Sequence, residues 1–213
     1  MLGTRPDIAY AVIKLAKFAA NPSKEHLDKV LYICRYLVGT QDYSLVFDGS
    51  SDTGLIAYTD SDWASDPIDR KSITGYFVKL ANGAFLWGSH TQKSVALSST
   101  EAEYMALSDC CRQTVWIKQL LAELGIMLKP IPICADNQGA IFIASNPVSD
   151  KRTKHIGVRY HNVREHVERK EVELLYIEGA ENPADMFTKN LGHIKFHKFR
   201  KHLGLEFYSP SSA

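Results

Sequence analysis

The chain has no uninterrupted apolar run approaching the ~20 residues that cross a bilayer, and its opening Met-Leu-Gly-Thr-Arg-Pro-Asp is neither a basic nor a hydrophobic leader. Both absences argue against a membrane protein or a secretory precursor and lead to the expectation of a soluble, intracellular protein with no membrane partner. Cysteine is scarce. Cys34, Cys110, Cys111 and Cys134 form no C-x-x-C pair, and three of the four fall in apolar segments, where a thiol behaves as a small core residue. A disulfide scaffold and a zinc ribbon are therefore disfavoured, and a reducing compartment fits. An excess of one charge is also missing: 25 Lys and Arg stand against 24 Asp and Glu, for a net charge of +1. Nothing global draws the chain to nucleic acid, so a basic binding surface has to be local. Repeats and low-complexity stretches are absent apart from the tail Ser-Pro-Ser-Ser-Ala (209 to 213), a segment expected to fray.

What is present suits one globular domain with an appendage: 213 residues, 45% of them apolar. From Arg5 to Ala20, Ile8, Val12, Ile13, Leu15, Ala16 and Ala19 recur at helical spacing, stopped by Asn21-Pro22-Ser23. A second helix, capped by Ser23, places Leu27, Val30, Leu31, Cys34, Leu37 and Val38 on one stripe and ends at Gly39. Two such helices bury too little surface to stand alone, so the hairpin needs a surface to lean on. Residues 44 to 48 read as a short strand, and Gly49-Ser50-Ser51-Asp52 reads as a linker. The expected division is therefore 1–49 for the hairpin unit, 54–192 for the main domain, and 193–213 for a C-terminal helix and tail.

In the main domain, strands are predicted at 55–59, 72–80 and 84–87, the last two joined by the turn Ala81-Asn82-Gly83, with 93–98 as a further edge. A helix follows from Thr100 to about Leu124. Strand 131–135, helix 137–144, helix 156–169 and strand 172–177 come next, then a helical turn around Asp185. This order predicts an α/β fold with a mixed five-stranded sheet and helices on both faces, preceded by the helical hairpin.

Four carboxylates fall where an unpaired charge is unusual. Asp60 closes the apolar run 55 to 60, Asp136 closes 131 to 136, Glu103 sits in the opening of the long helix, and Asp185 follows Asn182, a capping residue, and Pro183, suited to a first helical position. Like charges sharing a pocket oppose folding unless a cation neutralises them, which points to a hard divalent metal. Glu101 and Glu103 compete for the helical role. With Ser98 as cap, Glu101 completes a Ser-x-x-Glu capping box and leaves Glu103 free; with Thr100 as cap, Glu103 takes the box instead.

Six segments then appear in a telling order: Thr-Asp-Ser-Asp-Trp-Ala-Ser-Asp, Arg-Lys-Ser-Ile-Thr-Gly-Tyr, Val-Ala-Leu-Ser-Ser-Thr-Glu-Ala-Glu-Tyr-Met-Ala, Ala-Asp-Asn-Gln-Gly-Ala, Arg-Thr-Lys-His-Ile and Asn-Pro-Ala-Asp-Met-Phe-Thr-Lys. Together they resemble the ribonuclease H domain of copia-type LTR retrotransposon Pol polyproteins, over about Gly54 to Leu191. Gly-Thr-Arg-Pro-Asp-Ile-Ala-Tyr-Ala-Val (3 to 12) and Arg-Tyr-Leu-Val-Gly-Thr (35 to 40) resemble the end of the reverse transcriptase that precedes it.

The resemblance implies a ribonuclease H-like fold and endonucleolytic cleavage of the RNA strand of RNA/DNA hybrids during reverse transcription. It implies Asp60, Glu103, Asp136 and Asp185 as catalytic metal ligands, with two Mg2+ ions ~4 Å apart, replaceable by Mn2+, clamping the attacking and leaving oxygens. It selects Glu103, which precedes Tyr-Met-Ala-Leu, and Asp60 over Asp62. Ser99, Thr100 and Gln138 fall where the family touches the hybrid's minor groove, and Asn137 adjoins them. Arg70 and Lys71, and Arg152, Lys154 and His155, are local basic runs able to meet phosphates.

The hybrid and the reverse transcriptase portion of the parent polyprotein are the implied partners, in cytoplasmic virus-like particles and the nucleus. An integrase-type enzyme is disfavoured because Glu103 precedes Asp136. His193-x-x-x-His197 has zinc-ligand spacing but no third ligand nearby. A non-enzymatic alternative is a weakly active fragment of a decayed element, acting as a structural or hybrid-binding module.

Overall fold

The computed structural model describes residues 3–48, 54–146 and 157–207, with side chains from 162 onward in the last stretch. A 3-10 turn (Pro6–Ile8) leads into α1 (Ala9–Ala16), then α2 (Lys24–Val38) and β1 (Tyr43–Leu45). The first helix is shorter than its apolar period implies. Beyond Ala16 the chain tightens, with Phe18, Ala19 and Asn21 each donating to the carbonyl three residues back. Ser23 caps α2 as predicted, and His26 closes the capping box by accepting the Ser23 N–H at 3.0 Å. The stripe on α2 leans on little: no residue of this helix is buried, and Leu27, Val30, Leu31 and Val38 are exposed.

The main body runs β2 (Ile56–Asp62), β3 (Ile73–Leu80), β4 (Gly83–Thr91), α3 (Ser99–Glu123), β5 (Ile131–Ala135), α4 (Gln138–Ser145), α5 (Gly157–Glu168), β6 (Val172–Tyr176), a second 3-10 turn (Pro183–Phe187), α6 (His193–His202) and β7 (Leu205–Phe207). The five-stranded sheet has the order β4-β3-β2-β5-β6. β2, β3 and β4 pair antiparallel, and β5 pairs parallel with both β2 and β6. Left-handed Ala81 and Asn82 make the predicted hairpin turn.

One apolar cluster, including Tyr104, Leu107, Ile117 and Ile133, joins α3, α4 and α5 to the sheet. A second, including Phe77, Phe187, Phe199 and Leu203, joins the sheet to the second 3-10 turn and α6.

Two expectations about strands are corrected. β4 continues to Thr91, and residues 93–98 form no strand. The ladder ends at Gln92, whose buried amide turns inward and donates to Thr74 Oγ1 at 3.1 Å and to the Ala102 carbonyl at 2.9 Å, steering the chain into α3. The C-terminal segment contains β7 as well as a helix. β7 pairs antiparallel with β1, Tyr43 facing Phe207 and Leu45 facing Leu205, so the hairpin unit is joined to the last described residues.

A part-buried polar chain reinforces this join: Arg5 pairs with Asp7 at 2.8 Å, the Tyr36 hydroxyl donates to Asp7 at 2.6 Å, and Arg200 donates to the Tyr36 and Tyr43 hydroxyls. Gly204, at φ +73°, packs so tightly that a Cβ there would fall 2.7 Å from the Asn82 carbonyl oxygen and 3.0 Å from that of Val46.

Gly75 positions the second 3-10 turn. It lies opposite Asp60 in the ladder, and a Cβ on it would fall 2.6 Å from Thr188 Cγ2 and 2.7 Å from Phe187 Cβ. Only a residue without a side chain lets this turn sit against the sheet beside Asp60. Gly75→Ala is therefore expected to destabilise the protein by about 1–3 kcal/mol, the usual cost of overpacking a filled core. Urea denaturation checks this; an unchanged midpoint would show that the turn yields freely.

Candidate metal centre

Asp60 lies within β2, two residues short of its end, rather than at the strand end expected from the sequence. It is 1% exposed and points the same way along the strand as Asp62, which stays partly solvated. Asp136 directly follows β5, the parallel neighbour of β2, so the sheet brings the two aspartates side by side. Glu103 enters from the first turns of α3.

One carboxylate oxygen from each of Asp60, Glu103 and Asp136 lies within 4.8 Å of the others; among the described residues this is the one group of His, Cys, Asp and Glu able to enclose a cation.

Neighbouring residues take the capping duties at the helix ends. Ser98 caps α3 by accepting the Glu101 N–H at 3.1 Å, and Glu101 reaches back to the Leu97 N–H at 2.8 Å. Glu101 thus serves the helix end while Glu103, two residues on, faces the cluster. Asn137 caps α4 by accepting the Ala140 N–H at 2.9 Å, which relieves Asp136 of that duty. Asn182 caps the second 3-10 turn and also donates to the Thr59 carbonyl at 2.9 Å, tying the turn to the strand that carries Asp60.

Asp185, on that turn, is 2% exposed and stands apart from the three-acid group. Lys189 holds one of its oxygens at 2.8 Å and Lys195, from α6, the other at 2.5 Å. Lys189 also reaches Asp60 at 3.4 Å, and the Thr188 hydroxyl donates to Asp60. Sequence reading singled out none of Thr188, Lys189 and Lys195. The first two lie just past Asp185 in the Asn-Pro-Ala-Asp-Met-Phe-Thr-Lys segment, which was the available signal; Lys195 had none.

Electrostatics follow from burial. Loss of water raises the Asp60 carboxyl to about 6, with Asp185 and Asp136 adding to the rise and Lys189 and Thr188 opposing it. Burial, then Asp60 and Asp136, drive Glu103 well above the ordinary glutamate range, and Asp136 is raised chiefly by burial. Lys189 is pushed the other way: burial disfavours its charge, but Asp60 and Asp185 outweigh that and raise it. Glu103 Oε2 is buried and accepts no hydrogen bond among the described residues. A hard divalent cation fits this set, since it bonds carboxylate oxygens and neutralises the charge that the fold has desolvated.

The other predicted residues are distributed around this centre. Ser99 and Thr100 open α3, and Asn137 and Gln138 open α4. The two openings meet: a Cβ on Gly139 would lie 3.2 Å from the Thr100 methyl and 3.1 Å from Asn137 Oδ1. Arg70 is exposed on a left-handed backbone at φ +55° in the connection from β2 to β3, and Lys71 beside it pairs with Asp69 at 3.6 Å. Arg152, Lys154 and His155 lie outside the described residues. His193 and His197 bring their ring centroids to 4.1 Å but join no group of metal-ligating side chains among the described residues. No described helix is long and apolar enough to cross a membrane.

A five-stranded sheet of order β4-β3-β2-β5-β6, with its acids at the central strands and on the helix that follows the antiparallel hairpin, is the ribonuclease H-like fold. Relatives place the chain more narrowly. It is 45% identical over 205 residues to the retrovirus-related Pol polyprotein from transposon TNT 1-94 of Nicotiana tabacum, covering 96% of this chain and 15% of that polyprotein. It is 39% identical over 209 residues to the corresponding polyprotein from transposon RE1 of Arabidopsis thaliana, covering 98% of this chain and 14% of that one. The chain belongs to the retrovirus-related Pol polyproteins of transposons, and spans a small part of their length.

No family model matches it. Among solved structures, LC11-RNase H1 in complex with RNA/DNA hybrid aligns with a TM-score of 0.45 and 13% identity, over 63% of this chain and 93% of that one.

A raised carboxyl gives a defined pH signature. Asp60 binds its proton more tightly folded than unfolded, so in EDTA it costs stability at neutral pH, and the cost disappears as pH falls from about 6 toward its ordinary value of 3.8. His202, lowered to about 4 mainly by burial, acts in the opposite sense. Comparison with Asp60→Asn isolates the carboxyl. In EDTA the variant is expected to be the more stable at pH 7.5, with the gap closing toward pH 4.5; thermal unfolding that shows a constant gap would remove Asp60 from the desolvated set.

Proposed function

We propose that this chain is the ribonuclease H segment of a transposon Pol polyprotein and hydrolyses the RNA strand of RNA/DNA hybrids. The observation that carries the reading is the meeting of Asp60, Glu103 and Asp136 from three separate elements within 4.8 Å, with one Glu103 oxygen buried and unbonded. A fold gathers such groups against their mutual repulsion only where a cation completes them. Asp60, Glu103 and Asp136, with Asp185 beside them, would hold two Mg2+ ions, for which Mn2+ can substitute. Bound there, the ions would activate water and stabilise the departing 3′ oxygen of an in-line displacement at phosphorus.

The protein's own groups do the rest. The acids fix where hydrolysis occurs, and Thr188 and Asn182 keep Asp60 and the second 3-10 turn in register. Ser99, Thr100 and Gln138, with the Asn137 amide nitrogen, face substrate at two adjoining helix openings, where backbone N–H groups favour phosphate and hydroxyls or amides can read a 2′-hydroxyl. Arg70 and Lys71, and the basic run Arg152, Lys154 and His155 of the sequence, would meet phosphates. The reverse transcriptase portion of the parent polyprotein supplies the hybrid.

Incubation with a hybrid labelled on both strands tests this. In Mg2+ the RNA strand alone is expected to be cut, with no cutting in EDTA. Asp136→Asn, which removes a ligand at constant volume, is expected to lower cleavage at least about 100-fold, with its circular dichroism unchanged. Cutting that persists in EDTA, or in this variant, would overturn the reading. Hybrid binding without any cutting would favour the binding-module alternative.

A further inference from the structure

Asp185 is the acid whose position the metal reading explains least, because a lysine ammonium stands against each of its oxygens. Lys189 Nζ lies 2.8 Å from one and Lys195 Nζ 2.5 Å from the other, on a residue that is 2% exposed. The two lysines are not equivalent. Lys189 is four residues away on the same segment and also serves Asp60 at 3.4 Å. Lys195 belongs to α6, past the stretch that resembles ribonuclease H, and also donates to the Gly179 carbonyl at 3.4 Å and stands 5.2 Å over the Phe199 ring. That carbonyl sits in the loop joining β6 to the second 3-10 turn, which crowds the neighbouring acid: a Cβ on Gly179 would lie 3.0 Å from Asp136 Oδ2. Lys198, one turn further along α6, pairs with Glu181 of the same loop at 2.5 Å. α6 therefore grips the site at the Asp185 carboxylate and at the loop over Asp136.

We infer that Lys195 is a resident counter-ion that competes with a divalent cation for Asp185. Resting on the metal centre proposed above, this makes the two cations unequal. Asp60, Glu103 and Asp136 take one directly, while a second, needing Asp185, has to displace the Lys195 ammonium from an oxygen in a poorly solvated pocket. Displacement is feasible because the Lys195 side chain is 34% exposed and has water within reach. No bond is made or broken; one cation exchanges for another at a carboxylate.

Mn2+ binding to the full chain, followed by the electron paramagnetic resonance of the free ion, needs no catalysis to report. The wild-type chain is expected to bind one Mn2+ tightly and a second weakly. Lys195→Met leaves the carboxylate oxygen open and is expected to tighten the second ion about tenfold, leaving the first unchanged. Lys198→Met, removing the exposed pair with Glu181 and leaving Asp185 untouched, should follow the wild-type isotherm.

Lys195→Arg keeps a cation there and grips the carboxylate by two hydrogen bonds, so the second ion should bind more weakly; this arm decides the matter if the methionine variant does not fold. An isotherm for Lys195→Met that superimposes on wild type, or a second ion that weakens, would overturn the inference while leaving the metal centre standing. Absence of Mn2+ binding by the wild-type chain would overturn both.

Discussion

The constraint on which the rest of this structure depends is the removal of several carboxylates from water at one point of a sheet. Asp60 sits on the central strand between an antiparallel and a parallel neighbour, where water cannot follow it. A buried carboxylate needs hydrogen-bond donors or positive charge, and the surrounding segments supply them: Thr188 and Lys189 from the second 3-10 turn, Asn182 tying that turn to β2, and Gly75 clearing the space that lets the turn approach. These are not independent features. Each helps to place the groups that compensate a charge the fold alone would reject.

Much of this was legible in the sequence because the signals were local. Caps at Ser23 and Ser98, the turn at 81–83, and the alternation from antiparallel hairpin to parallel crossover follow from residue types and spacing, and the structure has them all. Capping alone left Glu101 and Glu103 open, since Ser98 or Thr100 could begin the helix, and the structure has Ser98 as the cap with Glu101 at the helix end.

What could not be read was set by contacts between distant segments. Gln92 ends a strand that composition alone continues in pieces to 98, because its amide finds partners on β3 and α3. β7, three residues long, is too short to show a period and exists by pairing with β1, which the sequence placed only approximately at 44–48. Lys195 looked like one of several surface lysines on a basic helix, and only the tertiary structure aims it at Asp185.

The helical hairpin shows the limit of periodicity in another way. Its apolar stripe correctly identifies a helix, yet the stripe of α2 stays exposed while part-buried polar groups, Asp7, Tyr36 and Arg200, link the first 3-10 turn through α2 to α6. Amphipathic spacing records which face would profit from cover, and says nothing of what supplies the cover.

The antiparallel pair formed by β1 and β7 bears on when, and not only how, this segment folds. Tyr43 and its partner Arg200 lie 157 positions apart, and the tight crossing at Gly204 closes only when the last described strand has arrived. On a ribosome making a long polyprotein, the hairpin would emerge early and wait for most of the segment to be synthesised before its anchor exists. Such a body closes as a whole, its first described strand waiting on its last.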